Sequence, residues 1–245
     1  MSNDIFSLKN FLSPKDFKKS VSKMERIAFI DIEGTLTEYE FWNEIANYVE
    51  KGNEIRELLY KGLIGEIDWF EGFMKRIELI KEVDKKLILK ASQKLEFQPQ
   101  ARELVELLKS EGFYVVLVSG SFKEVVKRAL TYTNANMLIA NKLLFKDGKV
   151  CGVYLSFKSK GEILDRFLAE RSFVLAIGDG NNDVPMFERA NVSIAVGNNK
   201  KAIEHADFNA KNLDEIIKLV SEVLENGVEI RRGYTLSQEG TLETP

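Results

Sequence analysis

A chain of 245 residues is long enough for one large domain, or for a core carrying a smaller insert. Hydrophobic content of 44% and charged content of 30% are ordinary for a soluble globular protein, and 35 basic against 38 acidic side chains leave a net charge of −3, so no basic field recruits nucleic acid. No run reaches the ~18 apolar residues of a membrane span, the early Asp4 does not suit a secretion signal, and the single cysteine, Cys151, excludes an internal disulfide and fits a reducing cytoplasm.

Residues 1–24 place Phe6, Leu8, Phe11, Leu12 and Phe17 among lysines and read as an N-terminal extension. The run Ile27-Ala28-Phe29-Ile30 then predicts a buried parallel strand. It stops at Asp31, with a second acid, Glu33, two residues on, followed by Gly34 and Thr35. From Phe41 the period becomes helical, with Trp42, Ile45, Ala46 and Val49 completing one face. Further helices are expected at 55–60, 69–80 and 87–95, and nothing in 41–96 reads as a strand. An all-helical cap, residues 39–97, is therefore expected directly after strand one.

Pro99 marks the return to the core, where Ala101, Leu104, Val105 and Leu108 give an amphipathic helix closed by Gly112. A strand at 114–118, a helix at 123–130 and a short strand at 137–140 follow. Lys146-Asp147-Gly148-Lys149 predicts a hairpin turn, with Cys151 packed in the strand after it. Helices at 161–169, 184–190 and 213–224 alternate with strands at 173–177 and 192–196. That alternation implies an α/β fold, a doubly wound parallel sheet of Rossmann-like type. Its core would comprise residues 25–38 and 98–225, leaving 226–245 as a C-terminal tail.

The chemistry gathers at strand ends. In open α/β sheets ligands bind outside the carboxyl ends of the strands, where Asp31 and Glu33 would project together. Ser119-Gly120-Ser121 follows strand two and offers hydroxyl and backbone N–H donors to an oxyanion. Lys160 opens the helix at Gly161, where an ammonium can meet a phosphate. Gly178-Asp179-Gly180-Asn181-Asn182-Asp183 puts acids and amides at a further strand end, where carboxylates with backbone carbonyls and waters suit Mg²⁺, which takes oxygen ligands. Each feature alone is as readily a polar turn or a solvated charge; the four in order are not.

With these motifs in this order, and with the helical cap between the first two, residues 25–220 resemble the haloacid-dehalogenase-like phosphatases, and within them the phosphoserine phosphatase group. The resemblance implies a Mg²⁺-dependent phosphomonoesterase acting on a small phosphorylated metabolite. Asp31 would be the nucleophile and Glu33 the general acid and base, with Ser119, Gly120 and Lys160 holding the phosphate. Asp31, Asp179, Asp183 and the backbone carbonyl of Glu33 would form the metal site, and Asn182 would anchor the loop. In the cap, Glu40 and Arg76 match the residues that bind the ammonium and carboxylate of phosphoserine, and Leu63 and Trp69 would form an apolar wall.

The chain departs from the family pattern in three places: Glu33 stands for the usual Asp, Ser121 for a Gly, and Gly34 for a frequent Ser. Asp-x-Glu versions also occur in enolase-phosphatases and phosphoserine:homoserine phosphotransferases. Another small phosphate ester, or phosphotransfer, is therefore the rival reading, and a non-catalytic phosphate binder is a third. Neither a nucleic-acid nor a membrane partner is expected, and a homodimer is left open. His205, the only histidine, falls outside the motifs and reads as structural.

Overall fold

The computed structural model describes residues 26–167, 173–225, 235–236 and 242–243. The N-terminal extension 1–24 and most of the tail 226–245 lie outside these residues. Within the tail, Thr235–Leu236 pairs antiparallel with Leu242–Glu243.

A seven-stranded sheet forms the body, in the order β4-β3-β2-β1-β5-β6-β7. Its strands are β1 (Arg26–Asp31), β2 (Tyr114–Phe122), β3 (Met137–Lys146), β4 (Lys149–Tyr154), β5 (Phe173–Gly178), β6 (Val192–Val196) and β7 (Phe208–Ala210). All pairs are parallel except β3–β4. Strand β1 is central because it is apolar on both faces. Ala28 and Ile30 pack into one core layer, and Ile27 and Phe29 into the other. The chain winds outward from β1 in both directions, so the strand order reverses beside it and a crevice opens at its carboxyl end.

Four helices separate β1 from the rest of the core: α1 (Phe41–Ile45), α2 (Gly52–Leu63), α3 (Trp69–Leu79) and α4 (Lys85–Ser92). Asp68 and Asp84 cap α3 and α4 by accepting from Glu71 N at 3.0 Å and Lys86 N at 2.7 Å. A cluster of aromatic rings ties this helical segment to the end of β2. Phe41, Trp42 and Phe73 all meet Phe122, at centroid distances of 5.4–5.8 Å. Each such contact is worth about 0.5–1.5 kcal/mol beyond the area it buries.

Helix α5 (Pro99–Ser110) begins with its proline, where the missing N–H costs nothing, and is closed by Gly112 at φ 81°. Helices α6 (Lys123–Val126), α7 (Arg128–Thr133), α8 (Lys160–Phe167), α9 (Val184–Phe187), α10 (Lys200–His205) and α11 (Leu213–Glu225) complete the layers.

Several expectations from local pattern need correction. The helix expected at 123–130 is two, broken at Lys127, and the second ends where Asn134 turns left-handed at φ 59°. The strand expected at 137–140 runs on to Lys146, because pairing with β4 carries it past the edge of the parallel sheet. Asp147 and Gly148, at φ 50° and 79°, make the turn between them. Helix α10 and strand β7 carry too few apolar residues to declare themselves. Cys151 is exposed rather than packed, since it falls on the outward face of that hairpin.

Candidate active site

The carboxyl ends of β1, β2 and β5 bring the strand-end residues to one cleft, which encloses about 630 Å³ open to solvent. Asp31, Glu33, Ser119, Gly120, Ser121, Asp179 and Asn182 line it from the sheet side. Glu40, Trp42, Leu63, Trp69 and Arg76 line it from the helices.

At its floor lies an ionic group. Lys160, only 2% exposed, donates from Nζ to Asp31 Oδ1 and, at 2.5 Å, to Asp183 Oδ1. The other oxygen of Asp183 accepts from Asp179 N at 3.1 Å and Gly180 N at 2.9 Å, which fixes the loop after β5. Thr35 Oγ1 lies 3.2 Å from Asp179 Oδ1 and 3.4 Å from Asp31 Oδ2, sharing one hydrogen between them. Carboxylate oxygens of Asp31, Asp179 and Asp183 lie within 4.8 Å of one another.

Three acids against one ammonium leave this floor short of positive charge. Burial, only partly opposed by Lys160, pushes the Asp31 carboxyl well above the usual range, and Asp183 and Asp179 push it the same way. Burial and the neighbouring Asp183 raise Asp179 to about 7. For Lys160, burial opposes the charge, but Asp183 and Asp31 outweigh it, so its pKa is raised and it stays an ammonium. The donor set is all oxygen, partly buried and lacking a cation's worth of charge, which fits Mg²⁺.

Glu33 stands above this floor. Its Oε1 accepts from Phe41 N at 2.9 Å and its Oε2 from Ser119 Oγ at 3.2 Å. Withdrawal from water, with the charge of Glu40 adding to it, raises its pKa to about 8. Ser119 Oγ also receives Ser121 N at 3.0 Å. The turn is pinned from behind by Asn141, whose Nδ2 donates to Gly120 O at 3.0 Å while its Oδ1 accepts Ser156 N at 3.0 Å. Asn141 and the bridging Thr35 hydroxyl lie outside the roles that the sequence motifs imply. The signal for Asn141 was present all the same: a polar residue ending the apolar run Leu138-Ile139-Ala140, as at the other strand ends.

On the helical side, Arg76 is 2% exposed, so it is no solvated surface charge. Its guanidinium lies over the Trp42 ring at 4.8 Å from the centroid. Its Nε and Nη1 have no hydrogen-bond partner, and burial lowers its pKa to about 10 against the pull of Glu40. Glu40 caps α1 by accepting from Trp42 N at 3.3 Å, and burial raises its pKa against that bond and Arg76. Trp69 covers Gly120 so closely that a Cβ there would lie 2.9 Å from the indole. Leu63 is 51% exposed, and its backbone O accepts Asn181 Nδ2 at 2.9 Å. His205 sits exposed at the end of α10, outside the cleft, with Nδ1 2.9 Å from Lys201 O.

Residues 25–191 match the family model described as hydrolase, haloacid dehalogenase-like hydrolase. A curated phosphoserine phosphatase of Campylobacter jejuni subsp. doylei is 31% identical over 207 residues, covering 80% of this chain and all of that one. The crystal structure of phosphoserine phosphatase from T. onnurineus is 45% identical with a TM-score of 0.73, over 80% of this chain and 94% of that one. A substrate-bound phosphoserine phosphatase complex is 28% identical with a TM-score of 0.72, over 80% and 98% of the two chains.

Proposed function

The chain belongs to the haloacid dehalogenase-like hydrolases, and we propose on that footing that it is a Mg²⁺-dependent phosphomonoesterase whose substrate is O-phosphoserine. The observation that carries this reading is the presence of two sites around one cleft: a buried Asp31–Lys160–Asp183 group at its floor, and a buried Arg76 with unpartnered donors lining it together with Glu40. Residues 39–97 act as the cap over the core.

Asp31, Asp179 and the Glu33 carbonyl hold the metal, and Asp183 steadies the loop that carries Asp179. When bound, Mg²⁺ offsets the repulsion between the anionic nucleophile and the phosphate dianion. Asp31 attacks phosphorus, forming an O–P bond as the bond to the leaving alkoxide breaks. Lys160, Ser119 and the backbone N–H of Gly120 hold the transferring oxygens. Glu33, protonated near neutrality at a pKa of about 8, gives its proton to the alkoxide. It then takes a proton from the water that attacks the aspartyl-phosphate, which restores both carboxyls and releases inorganic phosphate. Asn182 anchors the substrate side of the loop. Glu40 takes the ammonium of the substrate and Arg76 its carboxylate, because a zwitterion needs one anion and one cation held apart.

No helix among the described residues is long and apolar enough to cross a membrane. The exposed thiol of the lone Cys151 suits the reducing cytoplasm, where we place the enzyme.

Phosphate release from O-phosphoserine, phosphoethanolamine and an aryl phosphate, each with Mg²⁺ and with chelator, tests the proposal. Metal-dependent release with the highest kcat/KM for phosphoserine is expected. Turnover of the aryl ester without phosphoserine would sink the substrate, and no turnover of any ester would sink the enzyme.

A further inference from the structure

Three buried hydrogen-bonding atoms of cleft-lining residues lack partners: Arg76 Nε, Arg76 Nη1 and Ser121 Oγ. A buried polar atom left unpaired costs about 1–3 kcal/mol, a cost that a bound group removes. Arg76 already has a role in the reading above, whereas Ser121 has none.

Ser121 is 4% exposed, and its place is set by its own backbone, since its N–H is committed to Ser119 Oγ at 3.0 Å. The next residue, Phe122, locks the end of β2 into the Phe41–Trp42–Phe73 cluster. The hydroxyl is thus held on the cleft wall without a partner of its own. It belongs to the same cleft lining as Glu33. Arg76 lines that cleft from the helical side. The unpartnered hydroxyl and the two unpartnered guanidinium nitrogens therefore belong to residues of one cleft, which also holds Glu33, the acid proposed for the leaving group.

We propose that Ser121 is a specificity-determining residue, its hydroxyl joining Arg76 in binding the carboxylate of a phosphorylated amino acid. The inference rests on the phosphoserine reading given above. Both groups are donors, and a carboxylate is an acceptor with about four lone-pair sites, more than one guanidinium edge fills. The other parts of such a substrate are already served, the ammonium by Glu40 and the phosphate by Lys160, Ser119 and Gly120.

The test is the ratio of kcat/KM for O-phosphoserine to that for phosphoethanolamine, which keeps the ammonium and the ester but lacks the carboxylate. Ser121→Ala should lower that ratio about tenfold, through KM for phosphoserine. Ser121→Thr, which keeps the hydroxyl, should restore most of it. An equal loss on both substrates would assign the hydroxyl to phosphate or ammonium and overturn the inference. So would an unchanged ratio in an enzyme whose unmutated form hydrolyses phosphoserine. An unmutated enzyme without phosphoserine turnover would instead overturn the substrate reading, and this inference with it.

Discussion

The backbone of Gly34 runs directly against the carboxylate of Asp179. Gly34 holds φ at 84°, and a Cβ built on it would overlap all three atoms of that carboxylate. The turn after β1 thus sits against the loop after β5 with no room for a side chain, and Thr35 bridges the same two segments. Gly34→Ala should therefore cost about 1–3 kcal/mol of stability through the left-handed backbone alone. It should also weaken Mg²⁺ binding, because Asp179 must move. Urea denaturation with a Mg²⁺ titration checks both, and unchanged metal affinity would show that Asp179 is not a ligand.

Asp31→Asn should abolish turnover, by at least ~10³-fold, while leaving the fold intact. An amide has the volume of the carboxylate but cannot attack phosphorus, and Lys160 keeps Asp183 as its partner. Near-normal phosphate release would exclude the covalent route.

For Glu33→Gln the two half-reactions should separate. An aryl phosphate has a leaving group that needs little protonation, so it should still phosphorylate the enzyme. Hydrolysis of the phosphoenzyme should slow roughly 10²–10⁴-fold, giving a burst of aryl alcohol equal to the enzyme present. Absence of a burst, with both steps slowed alike, argues against Glu33 as the acid.

Arg76→Ala should raise KM for phosphoserine on the order of 10²-fold and that for phosphoethanolamine far less. Arg76→Lys should rescue little, since an ammonium cannot reproduce the planar fork or its stacking on Trp42. Equal effects on both substrates would leave a general phosphatase.

Metal binding should be linked to protons. With Asp179 raised to about 7 in the metal-free site, protons compete with Mg²⁺ below that pH, so affinity should climb from pH 5.5 to 7 and then level. The sign for stability follows. A carboxyl whose pKa rises from 3.8 unfolded to about 7 folded binds more protons in the folded state across that interval. The metal-free protein therefore loses stability as pH rises from about 4 to 7, and Mg²⁺ should reverse the loss. Thermal melts at three pH values, with and without chelator, would read both, and a pH-independent Mg²⁺ shift would refute the linkage.

Much of the core could be read along the chain because its signals are local. Ile27 to Ile30 are apolar on both faces and so must be covered on both, which makes β1 central and puts Asp31 at its carboxyl end. The same logic put Ser119, Lys160 and Asp179 at junctions opening on one crevice, and Asp147-Gly148 at a turn. Residues whose meaning depends on a distant partner could not be read so. Nothing near Arg76 in sequence says that it is buried on Trp42, and nothing near Asn141 says that it holds the Gly120 carbonyl. The length of β3 comes instead from a short-range contact, pairing with β4 across the Asp147-Gly148 turn. That Ser121 lacks a partner is likewise a property of the assembled cleft, because an unpaired hydroxyl is defined by everything that surrounds it. Local periodicity assigns elements and their ends, whereas contacts across 21 to 144 residues of chain assign the chemistry of buried polar atoms such as these.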